Sequence, residues 1–217
     1  SRLISYINIQ APKMICWFFL GPYYLGILSA AILITNNLHK ICRGSNWSLW
    51  MPFLSKVRRT YPKRFGEMYL RIRNIQSAAI IPILLLIISL KKQIILIVVP
   101  EKFYEIENLL VILCLSGIFV ATNYLFKPTL VMLGKTKQRL FFDVINLTLY
   151  LSLLPLLSKN DLVSFVYGVF FVELMFFLIF QFHLKTMLKL NILSQLSSLK
   201  GILSASCSIL VINYIFN

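Results

Sequence analysis

An all-α polytopic membrane protein is the architecture to which these 217 residues point. Of them 59% are apolar and 13% charged, where soluble domains carry roughly 25% charge. The apolar residues fall in runs long enough to cross a hydrocarbon core about 30 Å thick, which takes roughly 20 residues of helix. The 22 Lys and Arg, set against 7 Asp and Glu, gather in alternate connections between those runs. Hydrocarbon offers the backbone no hydrogen-bond partner, and a helix satisfies its own groups there.

Seven spans are expected, at 3–20, 23–38, 75–90, 109–133, 141–157, 163–182 and 199–216. The first is the most polar, interrupted by Asn8, Gln10, Pro12 and Lys13. The second follows a hairpin marked by Trp17, Tyr23 and Tyr24, aromatic rings that suit the headgroup layer. The third contains Pro82 and either stops at Lys91 and Lys92 or continues through 94–99. The fourth to sixth are strongly apolar. No secretory signal opens the chain, which starts at Ser1 directly in an apolar run, so it reads as part of a longer protein.

Charge in the connections sets the expected orientation, because Lys and Arg concentrate in cytoplasmic loops. Residues 40–73 hold nine basic side chains (Lys40, Arg43, Lys56, Arg58, Arg59, Lys63, Arg64, Arg71, Arg73) and one acid, Glu67. Lys135, Lys137 and Arg139 fill one later connection, and Lys185, Lys189 and Lys200 another. The intervening connections, 91–107 and 159–161, are neutral and belong outside, which places the first residue in the cytoplasm. In the large basic loop an aromatic and apolar stretch, 47–54, adjoins the cationic 56–64, a composition suited to an anionic leaflet surface. The bilayer is thus the expected partner. The same bias accounts for the basic cluster without a nucleic acid, and none is expected.

Four cysteines, Cys16, Cys42, Cys114 and Cys207, stand in separate segments without a CxxC pair. They read as packing residues, supplying neither a metal site nor a disulfide framework. His39 and His183 lie at cytoplasmic helix ends without metal-ligand spacing and read as exposed interfacial side chains. No cofactor, metal or catalytic residue is expected.

Charges within hydrocarbon are the informative positions, each costing about 2.5–3.5 kcal/mol at a helix centre unless paired or hydrated. Lys13 follows Pro12, which removes a backbone donor and frees a carbonyl, and shares its span with Asn8 and Gln10. Glu173 sits mid-span among phenylalanines with no partner three or four residues away. It must look to another helix, to water or to a proton. Lys127, before Pro128, is placed either to enter a central cavity or to snorkel to the interface along its apolar stem. One reading has Glu173 pairing with a lysine, or remaining a neutral acid, simply to hold the bundle. The other sets Lys13, Asn8, Gln10 and Lys127 around an anionic substrate, with Glu173 as the partner carboxylate.

The order of elements resembles the polysaccharide and O-antigen (lipid-linked oligosaccharide) flippases of the multidrug/oligosaccharidyl-lipid/polysaccharide exporter superfamily. Leu-Gly-Pro-Tyr-Tyr-Leu-Gly at 20–26 is similar to the first hairpin of that family's C-terminal lobe, and Met-Pro-Phe-Leu-Ser at 51–55 to its proline and serine motif. Tyr69, Pro82 and the stretches 94–99 and 109–115 follow in family order, and Leu-Val-Met-Leu-Gly-Lys at 130–135 is similar to the small loop after the fourth helix. The chain departs from the pattern at Pro12, Trp17, Pro100 and Phe103.

The resemblance implies a MATE-like transporter of two six-helix lobes around a central basic cavity, working by alternating access in the bacterial cytoplasmic membrane. Residues 1–190 would be the six-helix C-terminal lobe, and 191–217 a following amphipathic segment and further helix. An N-terminal lobe would precede them. The implied cargo is a polyprenyl-diphosphate-linked oligosaccharide for surface polysaccharide (O-antigen or capsule), with Lys13 the best-placed cation for its diphosphate. Three alternatives stand beside this one: a cation-coupled multidrug exporter of the same fold, in which Glu173 and Asp143 matter most; a membrane enzyme acting on lipid-linked glycans, which the short, histidine-free outer connections disfavour; and an inert scaffold.

Overall fold

The computed structural model describes residues 2–98, 106–157 and 161–188, and among these every regular element is a helix. In chain order they are α1 (Arg2–Leu20), α2 (Pro22–Ser45), a π turn (Asn46–Trp50), α3 (Met51–Thr60), a 3-10 turn (Pro62–Arg64), α4 (Phe65–Ser89), α5 (Lys91–Val98), α6 (Ile106–Asn123), α7 (Phe126–Met132), α8 (Thr136–Leu157) and α9 (Leu162–Leu188). Among the described residues, four stretches are long and apolar enough to cross a membrane: Pro62–Ser89, Ile106–Met132, Thr136–Leu157 and Leu162–Leu188. The chain is an all-helical, multi-pass membrane protein. α1 and α2 are helical as expected. The seventh expected span, at 199–216, lies outside the described residues, as does the whole of 191–217.

The local chemistry explains the element ends. Gly21 turns the chain between α1 and α2 at φ 91°, a left-handed conformation that side chains rarely adopt, and Pro22 opens α2 where a missing N–H costs nothing. Gly134, at φ 74°, closes α7: its N–H bonds the carbonyl of Val131 at 3.0 Å and the next N–H, of Lys135, reaches back to Leu130 at 2.8 Å. That pair of bonds is the Schellman closure of a helix end.

Three boundaries differ from expectation. α4 begins at Phe65, ten residues before the expected span, so Arg73 is not a loop cation but lies inside the bundle, 1% exposed, with Nη1 donating to Gln181 Oε1 at 3.1 Å. The extension, as far as Val98, proves to be a separate helix, α5, because Leu90 leaves the helical conformation after Ser89; residue 99 lies outside the described residues. The fourth span is two helices. Pro128 has no N–H to give the carbonyl four residues earlier, that of Tyr124, and the helix breaks at Tyr124 and Leu125.

Packing follows a ring. α1 lies against α2 and α8, α8 against α9, α9 against α6, and α6 against α2, with α4 and α5 docked on the outside of α6. One apolar cluster, including Ile27, Leu84, Leu110, Leu154 and Phe165, fills the end of the bundle near the α1–α2 hairpin. A second, aromatic cluster of Tyr69, Phe126, Phe142, Phe176 and Phe180 fills the basic end. Phe126 stacks on Phe180 at 4.1 Å between centroids, an anchor where α7 meets α9.

Candidate functional site

Helical spacing brings the polar residues of the ring to one interior cavity of about 380 Å³. Arg139, Asp143, Asn146 and Tyr150 on α8 are separated by four, three and four residues, one face of a helix. Val169, Glu173, Phe176 and Phe180 on α9 repeat that spacing, and Ser116, Val120, Asn123 and Lys127 repeat it through α6 into α7. α1 adds Asn8 and Pro12, and α2 adds Thr35, Asn36 and His39. Neither α4 nor α5 reaches the wall.

Asp143 is the electrostatic centre. Its carboxylate is 1% exposed; Lys127 Nζ stands 2.7 Å from Oδ1 and Arg139 Nε 3.8 Å from Oδ2. A carboxylate taken out of water loses several kcal/mol of hydration, and close cations plus hydrogen bonds are what offset the loss. Two cations share this one acid, so the trio carries a net positive charge. Asn8 ties α1 to the same point, its Nδ2 donating to the Asp143 carbonyl oxygen at 2.7 Å. Lys127 Nζ also lies 5.9 Å from the centre of the Phe176 ring, close enough for cation–π attraction.

Glu173 finds its partner on the neighbouring helix: the Tyr150 hydroxyl donates to Oε1 at 2.5 Å. Three further oxygens, Asn8 Oδ1, Asn123 Oδ1 and Asn146 Oδ1, are enclosed and have no hydrogen-bond partner among the described residues. All three belong to residues of the cavity wall. An amide oxygen only accepts, so such a wall takes groups that donate: hydroxyls, N–H groups or water. Ser116 and Thr35, in contrast, turn their hydroxyls back to the carbonyls of Leu113 and Ile32 on their own helices.

Where the ring meets the π turn, Asn46 is 1% exposed and bridges three elements. Its Nδ2 donates at 3.4 Å to the Tyr124 carbonyl that Pro128 leaves without a helical donor, and its Oδ1 accepts from Gln76 Nε2 at 2.5 Å. The Tyr124 hydroxyl hydrogen-bonds His39 Nδ1. His39 is therefore no exposed interfacial residue but buried, and His183 is half-buried against Phe126 and Phe142.

Of the residues singled out from sequence, Asn8, Lys127 and Glu173 line the cavity. Gln10 and Lys13 are half-buried and are not among its lining residues. Asp143, named from sequence only for a cation-coupled exporter, and Arg139, counted there as a loop charge, both line it. The signal that finds them is the four-three-four spacing of polar residues along α8. Among the described residues no three of His, Cys, Asp and Glu gather to hold a metal ion. No family model, curated protein or solved structure matches the chain.

Proposed function

We propose that this chain is the C-terminal six-helix lobe of a two-lobe, alternating-access transporter that moves a polyprenyl-diphosphate-linked oligosaccharide across the bacterial cytoplasmic membrane for surface polysaccharide synthesis. α1, α2, α4, α6 with α7, α8 and α9 are its six crossings, with the first residue cytoplasmic. One observation carries the reading: Lys127 and Arg139 share a single buried carboxylate in a cavity whose wall also holds three amide oxygens without a hydrogen-bond partner among the described residues. The net positive charge of the Lys127, Arg139 and Asp143 trio suits a diphosphate, and the amide oxygens suit sugar hydroxyls. Lys127 keeps the anion-binding role expected of it beside Lys13, and Arg139 joins it in place of Lys13.

A second reading, a cation-coupled multidrug exporter of the same fold, draws on the two carboxylates, Asp143 and Glu173, in that wall. Reconstitution of the full natural protein separates the two. Lys127→Gln is expected to slow translocation of a fluorescent polyprenyl-diphosphate disaccharide at least about tenfold, the scale of one lost charged contact. Lys127→Gln with Asp143→Asn removes both charges and is expected to restore protein level without restoring translocation. Recovery of both in the double variant means the pair only holds the fold. Efflux of a cationic dye that Glu173→Gln abolishes, with no movement of the lipid-linked sugar, establishes the exporter instead.

A further inference from the structure

A second depression opens on the outer surface between α8 and α9, at the end of the bundle where the basic residues gather, and is separate from the central cavity. Phe141, Phe142 and Ile145 line it from α8, and Ile179, Phe182 and Lys185 from α9. Phe141 and Phe182 are each 63% exposed, large aromatic surfaces turned outward on helices that cross the membrane.

Both walls are graded in the same direction. On α8, Lys137, Phe141 and Ile145 follow at intervals of four, so they stack on one helix face with the lysine toward the helix start. On α9, Ile179, Phe182 and Lys185 follow at intervals of three, with the lysine toward the helix end. The helices are antiparallel, so both lysines lie toward one end of the groove, Lys185 in its wall and Lys137 one turn beyond Phe141, and the isoleucines toward the other. Both lysine side chains are exposed. No carboxylate lines the groove.

Depth agrees with that grading. α9 has 27 residues, about 40 Å of helix, which exceeds a hydrocarbon core of about 30 Å and carries its last turn into the headgroup layer. From Ile179 to Lys185 the rise is about 9 Å, room for roughly the first six or seven carbons of an acyl chain below a phosphate at the lysine end.

We infer that the α8–α9 groove binds an anionic glycerophospholipid of the leaflet at the basic end, its acyl chain against Phe141, Ile145, Ile179 and Phe182 and its phosphate between Lys137 and Lys185. A zwitterionic lipid fills the apolar part equally well but brings a choline or ethanolamine cation beside the two lysines. The site therefore selects by headgroup charge. It holds whichever solute crosses the central cavity.

Native mass spectrometry on the purified full chain tests this with two lipids of identical chains, phosphatidylglycerol and phosphatidylcholine. A lysine near an anionic headgroup is worth about a fivefold preference, so the first phosphatidylglycerol is expected to bind at least about fivefold tighter than the first phosphatidylcholine. Lys137→Gln with Lys185→Gln, both at exposed positions that folding does not need, is expected to erase the preference while leaving phosphatidylcholine binding unchanged. Ile145→Trp fills the groove and is expected to weaken the first binding step for both lipids. Equal affinity for the two lipids in the unmodified chain overturns the inference. So does a preference that survives the double lysine change but disappears with Arg58→Gln and Arg59→Gln, since the lipid would then sit at α3.

Discussion

At the scale of single residues, the cavity depends on Asp143 more than on either cation. Lys127 and Arg139 are 29% and 23% exposed and have partial access to water, whereas the Asp143 carboxylate is 1% exposed and lives only on its partners. Asp143→Ala removes the anion and leaves two cations facing each other, so it is expected to cost about 3–5 kcal/mol, the usual result of breaking a buried pair from one side. Thermal unfolding in detergent measures it, and Lys127→Gln in the Asp143→Asn background should recover most of the loss. The same scale shows what sequence made legible. Lys127 and Glu173 stood out because a charge amid apolar residues demands a partner, and both line the cavity. Lys13 stood out by the same rule and does not line it, for a geometric reason: at about 100° per residue it sits roughly 140° around α1 from Asn8, and Gln10 about 160°. Pro12, one turn after Asn8, shares the Asn8 face. Arg73 was illegible because a cation nine residues into α4 and one in the preceding loop look alike until the helix start is known.

Among the helices, sequence located the long apolar ones and blurred their ends. Hydropathy averages over a window, so it registered neither the break at Tyr124 and Leu125 nor the restart at Lys91, which turn on single backbone groups. Nor did it reveal how closely α8 and α9 approach. A Cβ added at Gly168 on α9 would stand 2.9 Å from Leu154 Cδ2 and 3.4 Å from Leu157 Cβ on α8. Gly168→Ala displaces the mobile tip of Leu154 and is expected to cost about 1 kcal/mol; Gly168→Leu, which must separate the helices, is expected to reach about 3 kcal/mol. Gly26 on α2 meets nothing within 4 Å, and Gly26→Ala serves as the neutral comparison in the same unfolding assay. Small residues that let backbones come together are a common means of joining helices where lipid supplies no hydrophobic drive.

For the whole molecule, the distribution of basic residues makes a prediction about sidedness. Position 63, in the 3-10 turn before α4, and position 23, at the start of α2, lie at opposite ends of the bundle and are both exposed. In a variant lacking the four native cysteines, Tyr23→Cys is expected to react with a membrane-impermeant maleimide on intact cells, and Lys63→Cys only after the membrane is opened. The reverse pattern overturns the positive-inside assignment. The long apolar helices could be read from the chain alone. The ring could not, since it depends on which helices are neighbours, and those contacts join segments far apart in sequence.

The join between Asn8 and the Asp143 carbonyl spans 135 residues of chain. At about 5–20 residues per second, α8 leaves the ribosome roughly 7–27 s after α1. Throughout that interval α1 carries Asn8, Gln10 and Lys13 with none of its polar contacts to α8 made. α1 is the first described helix to emerge, so the polar join that closes the ring at Asn8 waits on the arrival of α8. Closure of the ring is in that sense a late step of biogenesis.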